Sequence, residues 1–333
     1  MATSEDSMGR IRKIVSRPLR ISIVTPAERG SRAGNRVTAL RWAGLLRELG
    51  HRPRLATTWR GQPCDVLVTV HAVKSAQAAI DARRARPDLA IVTLLSGTDI
   101  YPKFAPDART AEALRCADAL LALQPLALDV LPTDLRERAR PMIQSATAVD
   151  APRDPGFSAC LLAHLRPVKN PLLAVRAVAA LPQRLACTLA IAGERLDPDY
   201  GDEVERAAAT DERVRLVGAL DRRDSKRLLA RSTVCLVPSR AEGGANVVSE
   251  AIAAGTPVLC SAIPGNLGLL GDDWPGTFTD DDVDACAALL ERTATDRAFL
   301  DDLCARTRAL QPMVCPAAER EAWRVLLADL GVG

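Results

Sequence analysis

Thr233-Val-Cys-Leu-Val-Pro-Ser-Arg-Ala-Glu-Gly-Gly-Ala-Asn-Val-Val-Ser-Glu-Ala-Ile-Ala-Ala-Gly-Thr-Pro-Val258 reads as strand, loop, helix and the start of a second strand. Glu242 closes the loop that follows the apolar run Thr233 to Val237, and Glu250 falls about two turns into the helix. Between them Gly243 and Gly244 remove side chains where the chain turns, so backbone N–H groups can approach a ligand. A helix that opens just after a strand offers free amides and a positive dipole end to a phosphate. A carboxylate further along that helix is placed to accept hydrogen bonds from sugar hydroxyls. Together the parts suit a sugar attached to a diphosphate. Each part alone is common in α/β proteins; their order along one segment carries the reading.

Outward from this segment, strand and helix patterns alternate along the whole chain. Strands are predicted at Arg20–Thr25, Arg54–Thr57, Val66–Val70, Ile91–Leu95 and Ala119–Leu123, with a helix at Arg36–Leu49 stopped by Gly50-His51. A proline-punctuated linker, Pro141 to Pro155, precedes a second set: strands at Ser158–Ala163, Thr188–Ala192, Val214–Val217, Thr233–Val237 and Pro257–Cys260. Helices are expected at Pro171–Ala180, Asp202–Ala209, Arg223–Arg231 and Val247–Ala254, and the chain is helical after Gly276-Thr-Phe278. The predicted organisation is a flexible leader (1–17), a Rossmann-like domain (18–150), a second such domain (151–315) and a C-terminal helix (316–333) able to return to the first domain. Two doubly wound α/β domains predict a cleft between them, with ligands at the carboxyl ends of the strands.

Composition narrows the function classes. At 333 residues, 48% of them hydrophobic, the chain can build two cores, and with 3% aromatics these must be aliphatic. A net charge of +3 requires neither a nucleic acid nor a membrane surface as partner. Nine cysteines, an odd and dispersed set with no Cys-x-x-Cys, point to reduced thiols in a cytoplasm and not to disulfides or zinc. No metal-ligand cluster, Ser-His-Asp relay or Gly-x-Gly-x-x-Gly fingerprint is present, so no metal or cofactor is expected and an oxidoreductase is disfavoured.

Other candidate residues sit at strand ends. His164, Arg166 and Lys169 follow the first strand of the second domain, facing the same mouth as Glu242, where cations would neutralise a departing diphosphate. In the first domain the loop with Gly30, Arg32, Gly34, Asn35 and Arg36 opens a helix and has the make-up of an anion cradle. His71, followed by Lys74, ends one strand, and Ser96-Gly-Thr98-Asp99 ends the next; Gln124-Pro125 and Gln144-Ser145 close later segments of the same domain.

Across residues 20 to 330 the chain resembles GT-B glycosyltransferases of the large retaining family that carries a Glu-x7-Glu signature. The matching residues are Glu242, Gly243, Gly244, Glu250, Gly255-Thr-Pro257, Lys169 and Gly218. The resemblance implies that Glu250 holds the ribose and that Glu242 with the amides of Gly244, Ala245 and Asn246 holds the donor sugar and phosphate. Lys169 would bind the diphosphate, with Arg166 beside it. His164 stands where the family usually has arginine, and Leu95–Asp99 lacks the family's histidine opposite the donor sugar, which implies an unusual acceptor or altered sugar handling. The strings Ala27–Arg36, Ser96–Tyr101, Leu123–Leu126 and His164–Lys169 look more particularly like the selenosugar synthases of selenoneine biosynthesis. That resemblance implies UDP-N-acetylglucosamine as donor and selenophosphate as acceptor. Gly30, Arg32, Asn35, Arg36, His71, Thr98 and Asp99 would then form the acceptor pocket. A transferase acting on a hydroxyl, with Asp99 as base, and a silent nucleotide-sugar-binding protein are the alternatives.

Overall fold

The computed structural model describes residues 17–332 apart from positions 32, 98 and 102. The first domain is a parallel sheet of β1 (Arg20–Val24), β2 (Arg52–Ala56), β3 (Val66–Val70), β4 (Ala90–Leu95), β5 (Ala119–Ala122) and β6 (Ala139–Pro141), in the order β2-β1-β3-β4-β5-β6. Its helices are α1 (Gly34–Glu48), α2 (Ala76–Ala85), α3 (Ala108–Cys116) and the short α4 (Thr133–Arg136). β3 and β4 are buried along their whole length, as apolar runs in a sheet covered on both faces must be. Pro53 lies in β2, at the sheet's edge, where the missing N–H leaves no ladder bond unmade.

The second domain contains β7 (Phe157–Leu162), β8 (Cys187–Ala192), β9 (Val214–Gly218), β10 (Val234–Val237), β11 (Val258–Ser261) and β12 (Thr277–Phe278), ordered β9-β8-β7-β10-β11-β12 and again parallel. Helices α5 (Pro171–Ala180), α6 (Pro198–Ala208), α7 (Arg222–Arg231), α8 (Asn246–Ala254), α9 (Pro264–Leu270), α10 (Val283–Thr295) and α11 (Arg297–Leu310) surround it. The strand order reverses between β1 and β3 in one sheet and between β7 and β10 in the other, and those switch points open crevices at the strand ends.

The last helix, α12 (Pro316–Asp329), does not belong to the second core. Trp323, Leu326 and Leu327 pack with Ile21, Ile23, Trp42, Val66 and Val68, so α12 covers one face of the first sheet beside α1. Trp42 and Trp323 meet edge to face with centroids 5.0 Å apart, a geometry favoured by the ring quadrupoles. The chain therefore crosses between domains twice. The crossings run side by side: the Ala146 N–H donates to the Val314 carbonyl at 2.9 Å.

Among the elements not anticipated from the pattern are the single-turn α4, β6 and α9. β6 is three residues at the sheet edge, too short for periodicity to register. Helix α9 contains Gly265 and Gly268, poor helix formers pressed respectively on the Glu242 loop of the same domain and on Gln124 of the first domain.

Candidate active site

The four helices that follow the switch-point strands, α1, α2, α5 and α8, begin without a side-chain cap and with no acidic residue in the first turn. By contrast α3, α6, α7, α10 and α11 are each capped by an aspartate: Asp107, Asp197, Asp221, Asp282 and Asp296. Uncapped first-turn amides beside a crevice are available to an anion. Two of these helix starts meet across the domain boundary. A side chain added at Gly34 on α1 would come within 3.8 Å of Asn246 Nδ2 on α8.

Lys169 and Glu242 come together as an ion pair between the two loops of the second domain, with side chains 20% and 10% exposed. A short 3-10 turn, Pro167–Lys169, carries the lysine and ends at Asn170 in the left-handed region (φ 51°). Asn170 Nδ2 donates to Asp281 Oδ1 at 2.7 Å, and Arg240 Nε donates to both Asp281 oxygens at 2.9 Å. Arg240 also donates its backbone N–H to the Val168 carbonyl, so Asp281 and Arg240 clamp the lysine turn to the loop after β10. Beneath the ion pair lies a small recess lined by Leu162, Ala163, Pro238 and Ser239, at the carboxyl ends of β7 and β10, and by Val247 of α8. Arg166 sits at the head of the turn with its side chain exposed. His164 is drawn the other way: its Nδ1 accepts the Glu194 N–H at 3.2 Å. Gly193 joins it to Gly218, whose carbonyl accepts the Gly193 N–H while Gly193 itself packs on Ala163 and His164.

Glu250 is half-buried and has no hydrogen-bond partner among the described residues. Burial pushes its carboxyl above the ordinary 4.5, opposed by the charges of Arg222, Lys226 and Arg41. A carboxylate kept without partners beside cations has its acceptor sites free for hydroxyl donors.

The first-domain candidates separate into two groups. Among the described residues, Gly30 has φ 87° and open space around it, and Asn35 with Arg36 forms the first turn of α1, half-buried, the Arg36 Nε lacking a partner. Arg32 and Thr98, assigned to the same acceptor pocket from sequence, lie outside the described residues. His71 and Asp99 are both buried and lie against each other. Asp99 accepts the N–H groups of Ser96 (2.8 Å), Gly97 (2.7 Å) and Ala72 (2.9 Å), and its Oδ2 stands 3.4 Å from His71 Nδ1. Burial pushes His71 below the ordinary 6.5, against the pull of Asp99 and with that of Lys74. Gln124 donates to the Tyr101 hydroxyl at 2.9 Å, and Gln144 donates to Thr38 Oγ1 at 3.0 Å.

The Gly243–Gly244 pair has a reason that the sequence reading did not supply. A Cβ on Gly243 would stand 2.4 Å from the Ser96 carbonyl oxygen, and one on Gly244 2.6 Å from the Leu123 side chain. Gly265 is pressed in the same way on the Glu242 carbonyl and Gly268 on Gln124 Oε1. Gly243, Gly244 and Gly268 thus pack on backbone or side chains of the first domain, and Gly265 packs on the Glu242 loop of its own domain. Asp99, by holding the Ser96–Gly97 turn, shapes the surface on which Gly243 packs.

Solved structures share this architecture over nearly the full chain. The HepE protein of Anabaena, crystallised with UDP, superposes with a TM-score of 0.75 at 14% identity, covering 93% of this chain and 99% of that one. Sucrose-phosphate synthase from Thermosynechococcus elongatus gives 0.75 at 16% identity, covering 94% and 99%. The chain has the GT-B fold. Within it, residues 151–309 match the family model "Glycosyl transferases group 1", which takes in the lysine turn and both glutamates. A curated relative, D-inositol 3-phosphate glycosyltransferase of Salinispora tropica, is 30% identical over 154 residues, which is 43% of this chain. The match spans about a third of that relative's length, 32%. The pneumococcal O-GlcNAc transferase GtfA, solved with UDP and GlcNAc, is similar at a TM-score of 0.64 and 14% identity, covering 80% of this chain and 56% of that one. No helix among the described residues is long and apolar enough to cross a membrane, and none of the nine cysteines is paired. Among those residues no three His, Cys, Asp or Glu side chains gather as a metal site would need.

Arg41, Arg222 and Lys226 were missed from sequence. All three are ordinary helix arginines and lysines by pattern; only their convergence on Glu250 distinguishes them.

Proposed function

We propose that this GT-B protein is a glycosyltransferase that moves N-acetylglucosamine from UDP to selenophosphate. The observation that carries the reading is the meeting of α1 and α8, two uncapped helix starts, beside the Lys169–Glu242 pair and the unpartnered Glu250. One helix start suits the donor's pyrophosphate and the other a second small anion. Relatives crystallised with UDP, or with UDP and GlcNAc, support a UDP-sugar donor.

In this reading Glu250 accepts from the ribose hydroxyls, and Glu242 faces the sugar. Lys169, Arg166 and the amides of Gly243 to Asn246 take up the charge of the departing UDP. The bond from the anomeric carbon to the UDP oxygen breaks and its electron pair leaves with UDP. A selenium lone pair of selenophosphate forms the new C–Se bond. Hydrolysis of the Se–P bond by water then releases phosphate and leaves a 1-seleno sugar. Gly30, Asn35 and Arg36, with Arg32, hold the acceptor's phosphate. A hydroxyl acceptor would need a base, and Asp99, the candidate for that role, has its oxygens occupied by three backbone N–H groups. An anionic selenium nucleophile needs none. Unpaired thiols throughout the chain fit a reducing cytoplasm.

Incubation with a panel of UDP-sugars and either selenophosphate or hydroxyl acceptors, read by mass, tests the proposal. A seleno-N-acetylhexosamine product is expected. Turnover with hydroxyl acceptors alone would overturn the acceptor assignment and leave the donor half standing. Binding of UDP-sugar with no UDP release under any condition would reduce the protein to a binding module.

A further inference from the structure

One charged cluster at the domain boundary is not used by the mechanism above. Arg41 projects from α1 with its side chain 9% exposed, and Glu319 on α12 is 0% exposed. Arg41 Nε donates to both Glu319 oxygens, at 3.0 and 3.2 Å. Glu319 also accepts from Trp42 Nε1 at 2.7 Å, from the Ser145 N–H at 2.8 Å and from the Ser145 hydroxyl. The carboxylate is thereby saturated and the guanidinium fixed. The far end of Arg41 is not saturated: Nη1 donates to Asn246 Oδ1 at 3.2 Å, while Nη2 is buried with no partner among the described residues. Asn246 is the first residue of α8, the helix that carries Glu250.

We propose that Arg41 is a positioning residue for the donor site, anchored by Glu319 and reaching across the domain boundary to hold the first turn of α8 and face Glu250. A buried ion pair rarely adds stability over an apolar replacement of similar shape. An arginine kept there with one N–H idle points to a task beyond holding two helices together. The charges around Glu250 identify that task. The charges of Arg222 and Lys226 on α7 and of Arg41 on α1 oppose the rise that burial gives the Glu250 carboxyl, and Glu250 in turn acts on the Cys235 thiol of β10. Of the three cations only Arg41 belongs to the first domain. Closure of the two domains therefore supplies the last positive charge that keeps Glu250 ionised, the form that accepts both ribose hydroxyls. The same closure holds Asn246 against α1, so the α8 amides stay aimed at the pyrophosphate.

The inference rests on the assignment of Glu250 to a nucleotide, and UDP binding to the full chain tests both separately. Titration calorimetry with UDP from pH 5 to 8 would compare wild type with Arg41→Gln and Arg41→Lys. Arg41→Gln is expected to weaken UDP binding about tenfold at pH 7, the order of one charge-assisted hydrogen bond. It should also move the acid limb of binding to higher pH. Arg41→Lys keeps the charge and should keep that limb in place. Because Arg41→Gln strands Glu319, the double variant Arg41→Gln/Glu319→Gln removes both charges and preserves shape; the same limb shift is expected, with near-UV circular dichroism reporting the Trp42–Trp323 pair. Unchanged affinity in the double variant would overturn the proposal, as would weaker binding with an unmoved acid limb. Failure of the wild type to bind UDP would overturn the nucleotide assignment, and this inference with it.

Discussion

Two glycine-bearing loops face each other at the centre of this molecule, and they carry glycine for opposite reasons. In the first domain Gly30 has open space around its missing side chain and a φ of 87°, so backbone conformation demands it. In the second domain Gly243 would drive a Cβ to 2.4 Å from the Ser96 oxygen, so the neighbouring domain demands it. A glycine-rich loop after a strand is usually taken as a cradle for phosphate. Here the glycines of the better-known motif also answer to closure of the protein on itself, whereas Gly30 in the less conspicuous loop has no described neighbour to avoid.

Substitutions can break or sharpen that contrast. The largest effect is expected from Gly243→Ala, because the overlap is with backbone on both sides and only separation of the domains relieves it. Displacement by an ångström or so should cost about 100-fold in UDP release during turnover, whereas UDP binding changes by only a few-fold. Equal loss of binding and turnover would show that the glycine serves the ligand after all. Next, Asp99→Asn replaces one acceptor oxygen with a donor facing backbone N–H groups. Its cost should be about 1–3 kcal/mol in urea denaturation, with slower turnover as the Ser96–Gly97 turn loosens under Gly243. Gly30→Ala should cost about 1–2 kcal/mol, from left-handed backbone strain alone. Turnover should fall as well, because the added methyl enters the loop proposed to hold the acceptor's phosphate, and unchanged activity would mean that the loop takes no ligand.

The smallest effect concerns charge. Burial raises the Glu250 carboxyl above 4.5, so the native state holds more protons than the unfolded chain between that value and the higher folded one. Stability then falls as pH climbs through that window. Glu250→Gln should raise the melting temperature at pH 7, with the gain vanishing below pH 4.5, while UDP binding is lost. A melting temperature unchanged at pH 7 would mean that nearby cations fully offset the cost of burial.

Much of the fold was legible because parallel strands buried on both faces leave uninterrupted apolar runs such as Val66–Val70, and because helix α8 ends at Gly255 in the left-handed region. The donor loop was legible as a compact local string. Interactions between distant segments were not. Nothing local marks Arg41 among 44 lysines and arginines, since its partners lie 205 and 278 residues away. Helix α9 stayed hidden because its glycines answer to Glu242 and Gln124 and not to helix propensity. The three backbone N–H groups that Asp99 meets were equally invisible, because a carboxylate at a strand end looks the same whichever donors surround it.

The return of α12 to the first sheet has a bearing on how the molecule is made. A nascent chain emerging from the ribosome completes the strands of its first domain early, yet Ile21, Ile23, Val66 and Val68 wait beside Trp42 for Trp323, Leu326 and Leu327. Part of that face stays uncovered until residues 316–329, which follow the entire second domain, have been synthesised. Severing the chain at the linker would consequently not yield two self-sufficient halves; the amino-terminal piece would need α12 supplied in trans.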